Sequence, residues 1–115
     1  MTRFGAYATS VIAPIHQTRP LPDGWSFEEG ASFLVQGLTA FYALSALGNV
    51  RKGHTVLVHS AAGGCGLFGL GICRALGATA IATVGSLSKA RGTRDWLANR
   101  FIVFALDSRL KLSWC

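Results

Sequence analysis

The chain has 115 residues, 50% of them hydrophobic, with eleven lysines and arginines against five acids and a formal charge of +6. This length holds one compact domain with a core and is small for a two-domain enzyme. The positive charge points to an anionic partner, whether a phosphate-bearing cofactor, nucleic acid or an acidic membrane surface, and charge alone does not choose among them.

The opening stretch "FGAYATSVIAP" alternates loosely and is rich in strand-forming residues, which predicts a strand ended by Pro14. The first ten residues contain no charged segment followed by an apolar one, so no signal peptide is expected and the expected location is cytoplasmic. "IHQTRPLPDGW" holds two prolines and a Pro-Asp-Gly turn signal and reads as a connector. A helix is expected to start at Ser26, whose side chain can accept from the Glu29 N–H while the Glu29 carboxylate reaches back to the Ser26 N–H. Glu28 and Glu29 also sit where the positive end of the helix dipole favours acids. The helix is expected to run through "GASFLVQ", break at Gly37, and resume as "LTAFYALSAL" up to a C-terminal cap at Gly48.

Asn49 to Gly53 is polar and reads as a turn. "HTVLVHS" is a short β-branched run of buried-strand type, "GLFGLGICRAL" has helix length and is closed by Gly77, and "ATAIATVG" reads as the next strand. Strand, glycine turn, helix, glycine cap and strand together fill about thirty residues, the length of a βαβ unit. Two apolar strands, read as buried on both faces, suit a parallel sheet. Beyond Lys89, "RDWLANRF" reads as a further helix and "FIVFAL" as a further strand, while "DSRLKLSWC" fits no element.

Two wider readings are set aside on the same residues. Residues 30–50 and 53–73 are uncharged and reach the ~20 residues that span a bilayer. "HSAAGG" breaks the second, and a buried helix accounts for the first, so no membrane span is expected. Cys65, Cys73 and Cys115 form no CxxC and no His/Cys cluster at zinc-ligand spacing, so neither a disulfide framework nor a metal site is expected. Lys89, Arg91, Arg94 and Arg100 form either a basic patch or the solvated face of a helix.

Within the βαβ unit, Ala61, Ala62, Gly63, Gly64, Cys65 and Gly66 occupy the place of G-x-G-x-x-G, with alanine at the first glycine position. The turn follows a strand and opens a helix, which is the context a dinucleotide fingerprint needs. Gly63 would let the backbone approach a pyrophosphate, Gly66 would let the helix lie close to the sheet, and N–H groups at the helix start would face the anion. Ala61 is tolerable there if its φ is negative. The competing reading is a helix that needs glycine only for packing, since Gly69 and Gly71 lie in the same helix.

Cofactor preference is read at the end of the second strand, where NAD sites place an acid about twenty residues after the first glycine. The chain has Thr83-Val84-Gly85-Ser86 there, and no carboxylate lies between Gly30 and Arg94. Ser86 offers a hydroxyl and Lys89 a cation to a 2′-phosphate, so NADP(H) is expected over NAD(H). His59 stands at the strand end beside the turn, either as a site residue or as a histidine satisfied by backbone or water. His16 and His54 lie in connectors without a visible partner. Cys65 lies next to a helix start, which favours thiolate, or fills a place for a small side chain.

"LPDGWSFEEGASFLVQGLTAFYAL", "GNVRKGHTVLVHSAAGGCGLFGLGICRALGA" and "ATVGSLSKA" together resemble the zinc-independent quinone oxidoreductase and enoyl reductase branch of the medium-chain dehydrogenase/reductase superfamily. The resemblance covers Phe4 to Ala90. It implies an α/β fold with a Rossmann-type parallel sheet preceded by a GroES-like β domain, and NADP(H) held between them. By that comparison residues 1–22 are a remnant of the GroES-like catalytic domain and 23–115 a partial Rossmann domain. The chain is then expected to be a fragment or truncated copy. The family's nucleotide loop maps onto Ala61 through Gly66, its 2′-phosphate contacts onto Ser86 and Lys89, and its threonine near the nicotinamide onto Thr39.

The resemblance implies hydride transfer to a small-molecule substrate, a quinone, an enone or an acyl thioester, without a metal. The groups that polarise the substrate belong largely to the absent domain, so no catalytic residue is named. Two other classes stand beside it: a non-catalytic nucleotide-binding remnant, and a basic protein that binds nucleic acid or a membrane surface. The last ranks lowest because no basic and aromatic interleaving of a recognised type is present. A small sheet with an open edge and uncovered apolar faces also favours association, such as a homo-dimer.

Overall fold

The structure is a computed structural model that describes residues 5–94, 100–103 and 113–114. The chain divides into two compact units, Met1–Gly30 and Ala31–Cys115.

In the first unit, the expected strand over "FGAYATSVIAP" is not formed across its described residues 5–14, which run as bends and irregular backbone. Tyr7 and Ile12 are fully exposed. Alternation fits a pleat only when a neighbouring strand takes up the backbone N–H and C=O groups, and no described strand pairs with these residues. Past Pro14 a single 3₁₀ turn covers Ile15–Gln17. The Pro-Asp-Gly signal is a real turn, closed by the Trp25 N–H donating to the Pro22 carbonyl at 3.2 Å. The capping box also forms: the Ser26 N–H donates to Glu29 Oε2 at 2.8 Å and the Glu29 N–H to Ser26 Oγ at 3.2 Å.

The helix opened by that box is α1, Phe27–Leu47, and it does not break at Gly37. Gly37 keeps helical angles, φ −67° and ψ −47°. It is buried, and an added Cβ would stand 3.1 Å from the Phe33 ring, so its small size serves close packing. The irregularity takes another form, with wider π turns over Phe33–Gly37 and Tyr42–Leu47. The second ends where the Gly48 N–H donates to the Ala43 carbonyl at 2.8 Å. Gly48 is the cap but stays right-handed, and the positive φ falls on Asn49 at 45°. By length and composition α1 is also long and apolar enough to cross a membrane, with a mean hydropathy of 1.4.

The second unit carries the sheet, built from β1 (Thr55–Val58), α2 (Gly64–Ala75), β2 (Thr79–Val84), α3 (Leu87–Arg94), β3 (Arg100–Val103) and β4 (Ser113–Trp114). Strand order is β1-β2-β3-β4. The first three are parallel, with Thr55 opposite Thr79 and Ile81 opposite Arg100, and β4 pairs antiparallel to β3. Parallel neighbours need a crossover, and α2 and α3 supply them. β1 departs from expectation: it alternates between exposed and half-buried, Leu57 being 50% exposed, because only the face that carries Val56 and Val58 packs against the core. β2, flanked on both sides, is buried at four of its six residues.

The end of α2 follows its glycine. Gly77 takes φ +70°, its N–H donates to the Arg74 carbonyl at 3.0 Å, and the Ala78 N–H reaches the Cys73 carbonyl at 2.9 Å. This paired pattern satisfies two carbonyls the helix would otherwise leave open, and it turns the chain directly into β2. The core then forms between α2 and the sheet from Ala61, Leu70, Cys73, Ala78, Ala80, Ala82 and Val84. Five of those seven are alanine or cysteine, so helix and sheet approach closely.

Of the later expectations, "FIVFAL" holds part of β3, and its residues 104–106 lie outside the described residues. Of the helix expected over "RDWLANRF", Arg94 is the last described residue of α3 and Arg100 and Phe101 lie in β3; residues 95–99 lie outside the described residues. From "DSRLKLSWC" only Ser113–Trp114 is described, as β4.

Candidate functional site

The expected glycine turn lies between β1 and α2 and is shaped by a residue the sequence did not mark. Ser60 takes φ 52°, a left-handed conformation that non-glycine residues seldom adopt. Its carbonyl accepts the Gly63 N–H at 2.8 Å and closes the turn. Ala61, standing where the fingerprint has its first glycine, keeps a negative φ and is wholly buried. An alanine is therefore accommodated there because the left-handed step occurs one residue earlier.

Gly63 is the N-cap of α2, with φ −85° and ψ 168° and no side chain to cap the helix. The first backbone bond of the helix runs from the Leu67 N–H to the Gly63 carbonyl at 2.9 Å. The N–H groups of Gly64, Cys65 and Gly66 thus lie in the first turn, where intrahelical acceptors do not exist and the dipole is positive. Gly66 makes the approach possible: an added Cβ would lie 2.5 Å from the Ser60 carbonyl oxygen and 2.6 Å from Ala61 Cα. At Gly64 an added Cβ would overlap the Gln36 side-chain amide, which lies over the turn from α1. Sequence reasoning missed Gln36 because its position depends on how α1 meets α2, a tertiary fact with no local pattern.

A second set of bonds holds the entry to the turn. Thr83 on β2 is 3% exposed. Its Oγ1 is 3.0 Å from His59 Nδ1 and accepts the Ser60 N–H at 3.3 Å, while its carbonyl accepts the Ala61 N–H at 2.9 Å. His59 is therefore partnered by a side chain, a contact that only strand pairing reveals. His54 likewise finds a partner, its Nδ1 accepting the Arg51 N–H at 3.4 Å.

Thr39, His59, Cys65 and Gly66 share the wall of a cavity of about 260 Å³ with apolar residues of α1 and β1. The structure thus brings Thr39 beside the glycine turn. Ser86 caps α3: its carbonyl accepts the Ala90 N–H at 3.1 Å, and its Oγ accepts the Lys89 N–H at 3.4 Å and lies 3.0 Å from Ser88 Oγ. Lys89 is exposed in the first turn of α3. Among the described residues, no cluster of three or more His, Cys, Asp or Glu side chains could hold a metal ion.

The two described cysteines differ sharply. Cys65 is exposed in the turn, whereas Cys73 is wholly buried in the core, and burial pushes its thiol up. A raised thiol pKa means less thiolate at neutral pH and slower attack. In a Cys115→Ser background, an alkylating reagent is expected to modify Cys65 in the native chain and Cys73 only after denaturation. Equal native rates, followed by mass spectrometry of peptides, would refute the placement of Cys73.

Three consecutive parallel strands, linked by helices and opened by a glycine turn at a helix N-terminus, define a Rossmann-type α/β domain. No family model matches the chain. Individual relatives do. The synaptic vesicle membrane protein VAT-1 homolog of Rattus norvegicus is 40% identical over 89 residues, which is 77% of this chain and 22% of that protein. The quinone oxidoreductase of Pseudomonas aeruginosa is 42% identical over 91 residues, 79% of this chain and 28% of that enzyme. Among solved structures, a mycobacterial protein complexed with NADPH superposes with a TM-score of 0.74 at 39% identity, covering 83% of this chain and 29% of the other. An enoyl reductase superposes with a TM-score of 0.67 at 34% identity, covering 70% and 24%. These relatives and structural neighbours are quinone oxidoreductases, VAT-1 proteins and enoyl reductases of the medium-chain dehydrogenase/reductase superfamily, and the chain matches part of their length. It spans between a fifth and a third of the length of these four relatives.

Proposed function

We propose that the chain is the nucleotide-binding part of a zinc-independent, NADPH-dependent oxidoreductase of the quinone or activated-alkene reductase type. The observation that carries this is the first turn of α2, where the N–H groups of Gly64, Cys65 and Gly66 have no intrahelical acceptor and Gly66 allows the helix to meet the strand end. A pyrophosphate fits those donors and the dipole behind them. The mycobacterial relative with NADPH bound supports the choice of cofactor. In this reading Ala61 through Gly66 hold the pyrophosphate, Ser86 and Lys89 meet the 2′-phosphate, and Thr39 stands near the nicotinamide. Residues 1–22 correspond to the end of a GroES-like catalytic domain and 23–115 to part of the Rossmann domain.

Bound NADPH supplies a hydride, to the β-carbon of an activated alkene or to a quinone. The chain's own residues bind and orient the dinucleotide; substrate selection falls to segments outside this chain, and the protein acts in the cytoplasm on a small molecule. A second reading, nucleotide binding without turnover, is favoured by the cavity beside the turn, whose titratable side chains among the described residues are His59 and Cys65.

Calorimetric titration of the purified chain with NADPH and then NADH, at one fixed ionic strength, tests the reading. Saturable binding that favours NADPH is expected. Lys89→Ala is expected to weaken NADPH about tenfold, the worth of one charge-assisted hydrogen bond, and to leave NADH unchanged. A folded chain that ignores both nucleotides would assign the glycines to packing, and equal loss for both would remove Lys89 from the 2′-phosphate.

A further inference from the structure

Three successive residues at the entry to the turn, His59, Ser60 and Ala61, are tied to one residue of the neighbouring strand, Thr83. We propose that Thr83 is the positioning residue of the glycine turn, and that its hydroxyl fixes His59 as the neutral tautomer carrying its proton on Nε2.

The argument is one of hydrogen count. The Thr83 hydroxyl has one proton and two lone pairs. The Ser60 N–H is purely a donor, so it occupies a lone pair of Oγ1 at 3.3 Å. The His59 Nδ1 contact at 3.0 Å is compatible with either direction. If Nδ1 donated, Oγ1 would accept twice, and among the described residues the Thr83 proton would have no acceptor. Thr83 is 3% exposed, so water does not supply one readily, and a buried donor left unmade is costly. If Thr83 donates to Nδ1, the Thr83 hydroxyl, the Ser60 N–H and His59 Nδ1 are all satisfied. Nδ1 is then the acceptor, and Nε2 keeps the ring proton.

Two consequences follow for the site. The left-handed Ser60, whose carbonyl closes the turn on Gly63, is held by a side chain that arrives through strand pairing. With Nδ1 engaged, the remaining Nε2–H is a neutral donor on the wall shared with Cys65 and Gly66, suited to an acceptor oxygen of the bound dinucleotide. This second consequence rests on the nucleotide reading proposed above; the tautomer does not.

The test uses the full chain labelled with ¹⁵N in histidine, at a pH where the His59 ring is neutral. The expected spectrum has an unprotonated Nδ1 and a protonated Nε2, unchanged in Thr83→Ser, which keeps the hydroxyl, and mixed between tautomers in Thr83→Val, which keeps only the shape. NADPH is expected to shift the Nε2 signal, and Thr83→Val to raise the NADPH Kd about tenfold with Thr83→Ser restoring it. Circular dichroism of both variants separates loss of fold from loss of positioning. A protonated Nδ1 in the wild-type chain, or a folded Thr83→Val that keeps both tautomer and affinity, would overturn the proposal. An Nε2 signal indifferent to bound NADPH would overturn the donor role. A wild-type chain with the assigned tautomer but no affinity for NADPH would support the Thr83 clamp and sink the cofactor reading instead.

Discussion

Gly66→Ala is expected to abolish NADPH binding and to destabilise the chain by about 2–3 kcal/mol, the cost of forcing a methyl into a filled space. The new Cβ would meet the Ser60 carbonyl oxygen at 2.5 Å and Ala61 Cα at 2.6 Å. Both are backbone atoms, so no rotamer change relieves the overlap. Either α2 must move away from the strand end or the Ser60–Gly63 turn must open, and each displaces the N–H groups of the first turn. Gly71→Ala is the control in the same helix. Its added Cβ meets nothing within 4 Å, so there the entropic advantage of alanine should stabilise by about 0.5–1 kcal/mol. Urea unfolding followed by circular dichroism, paired with calorimetric titration, measures both. A Gly66→Ala chain that binds NADPH like the parent would remove close helix–strand approach from the account of the turn.

Leu70→Ala is the second large effect, at about 3–5 kcal/mol. Leu70 is wholly buried, and it is the largest such side chain among the described residues, set among alanines that cannot collapse far into the space it leaves. Small domains have only about 5–15 kcal/mol to lose, so the variant should be largely unfolded well below the parent's midpoint. Leu70→Met, which conserves volume, should cost under about 1.5 kcal/mol. Thermal unfolding of the three chains decides it; equal midpoints for the alanine and methionine variants would show that Leu70 does not anchor the core.

Local chemistry explains which features the sequence revealed. The Ser26/Glu29 capping box and the Gly77 helix end are settled by residues within one turn of each other, and both form as expected. The strand–turn–helix–strand order of residues 55–84 was legible too, because β-branched runs, glycines and a helix-length segment follow without interruption. What failed depended on distant partners. The alternation over 5–14 has no neighbouring strand to pair with among the described residues. The π turns of α1 accompany packing such as the edge-to-face contact of Phe33 with Phe68, whose ring centroids are 5.8 Å apart.

The candidate site divides along the same line. Its glycines could be placed by spacing, and Ala61 could be admitted on the condition of a negative φ that the structure meets. Ser60's left-handed backbone, the Gln36 amide over Gly64 and the Thr83 contacts could not, since each is fixed by an element remote in sequence.

The hydrogen bond between His59 and Thr83 joins residues 24 apart in the chain, and the pairing of β1 with β2 closes over a similar span. Loop-closure entropy grows only slowly with span, so a closure of this length costs little more than a shorter one. The geometry of the glycine turn is therefore complete once β2 has docked on β1, before β3 or β4 need join the sheet. A chain extended only through Val84 already contains every residue that these bonds use to hold the turn in shape.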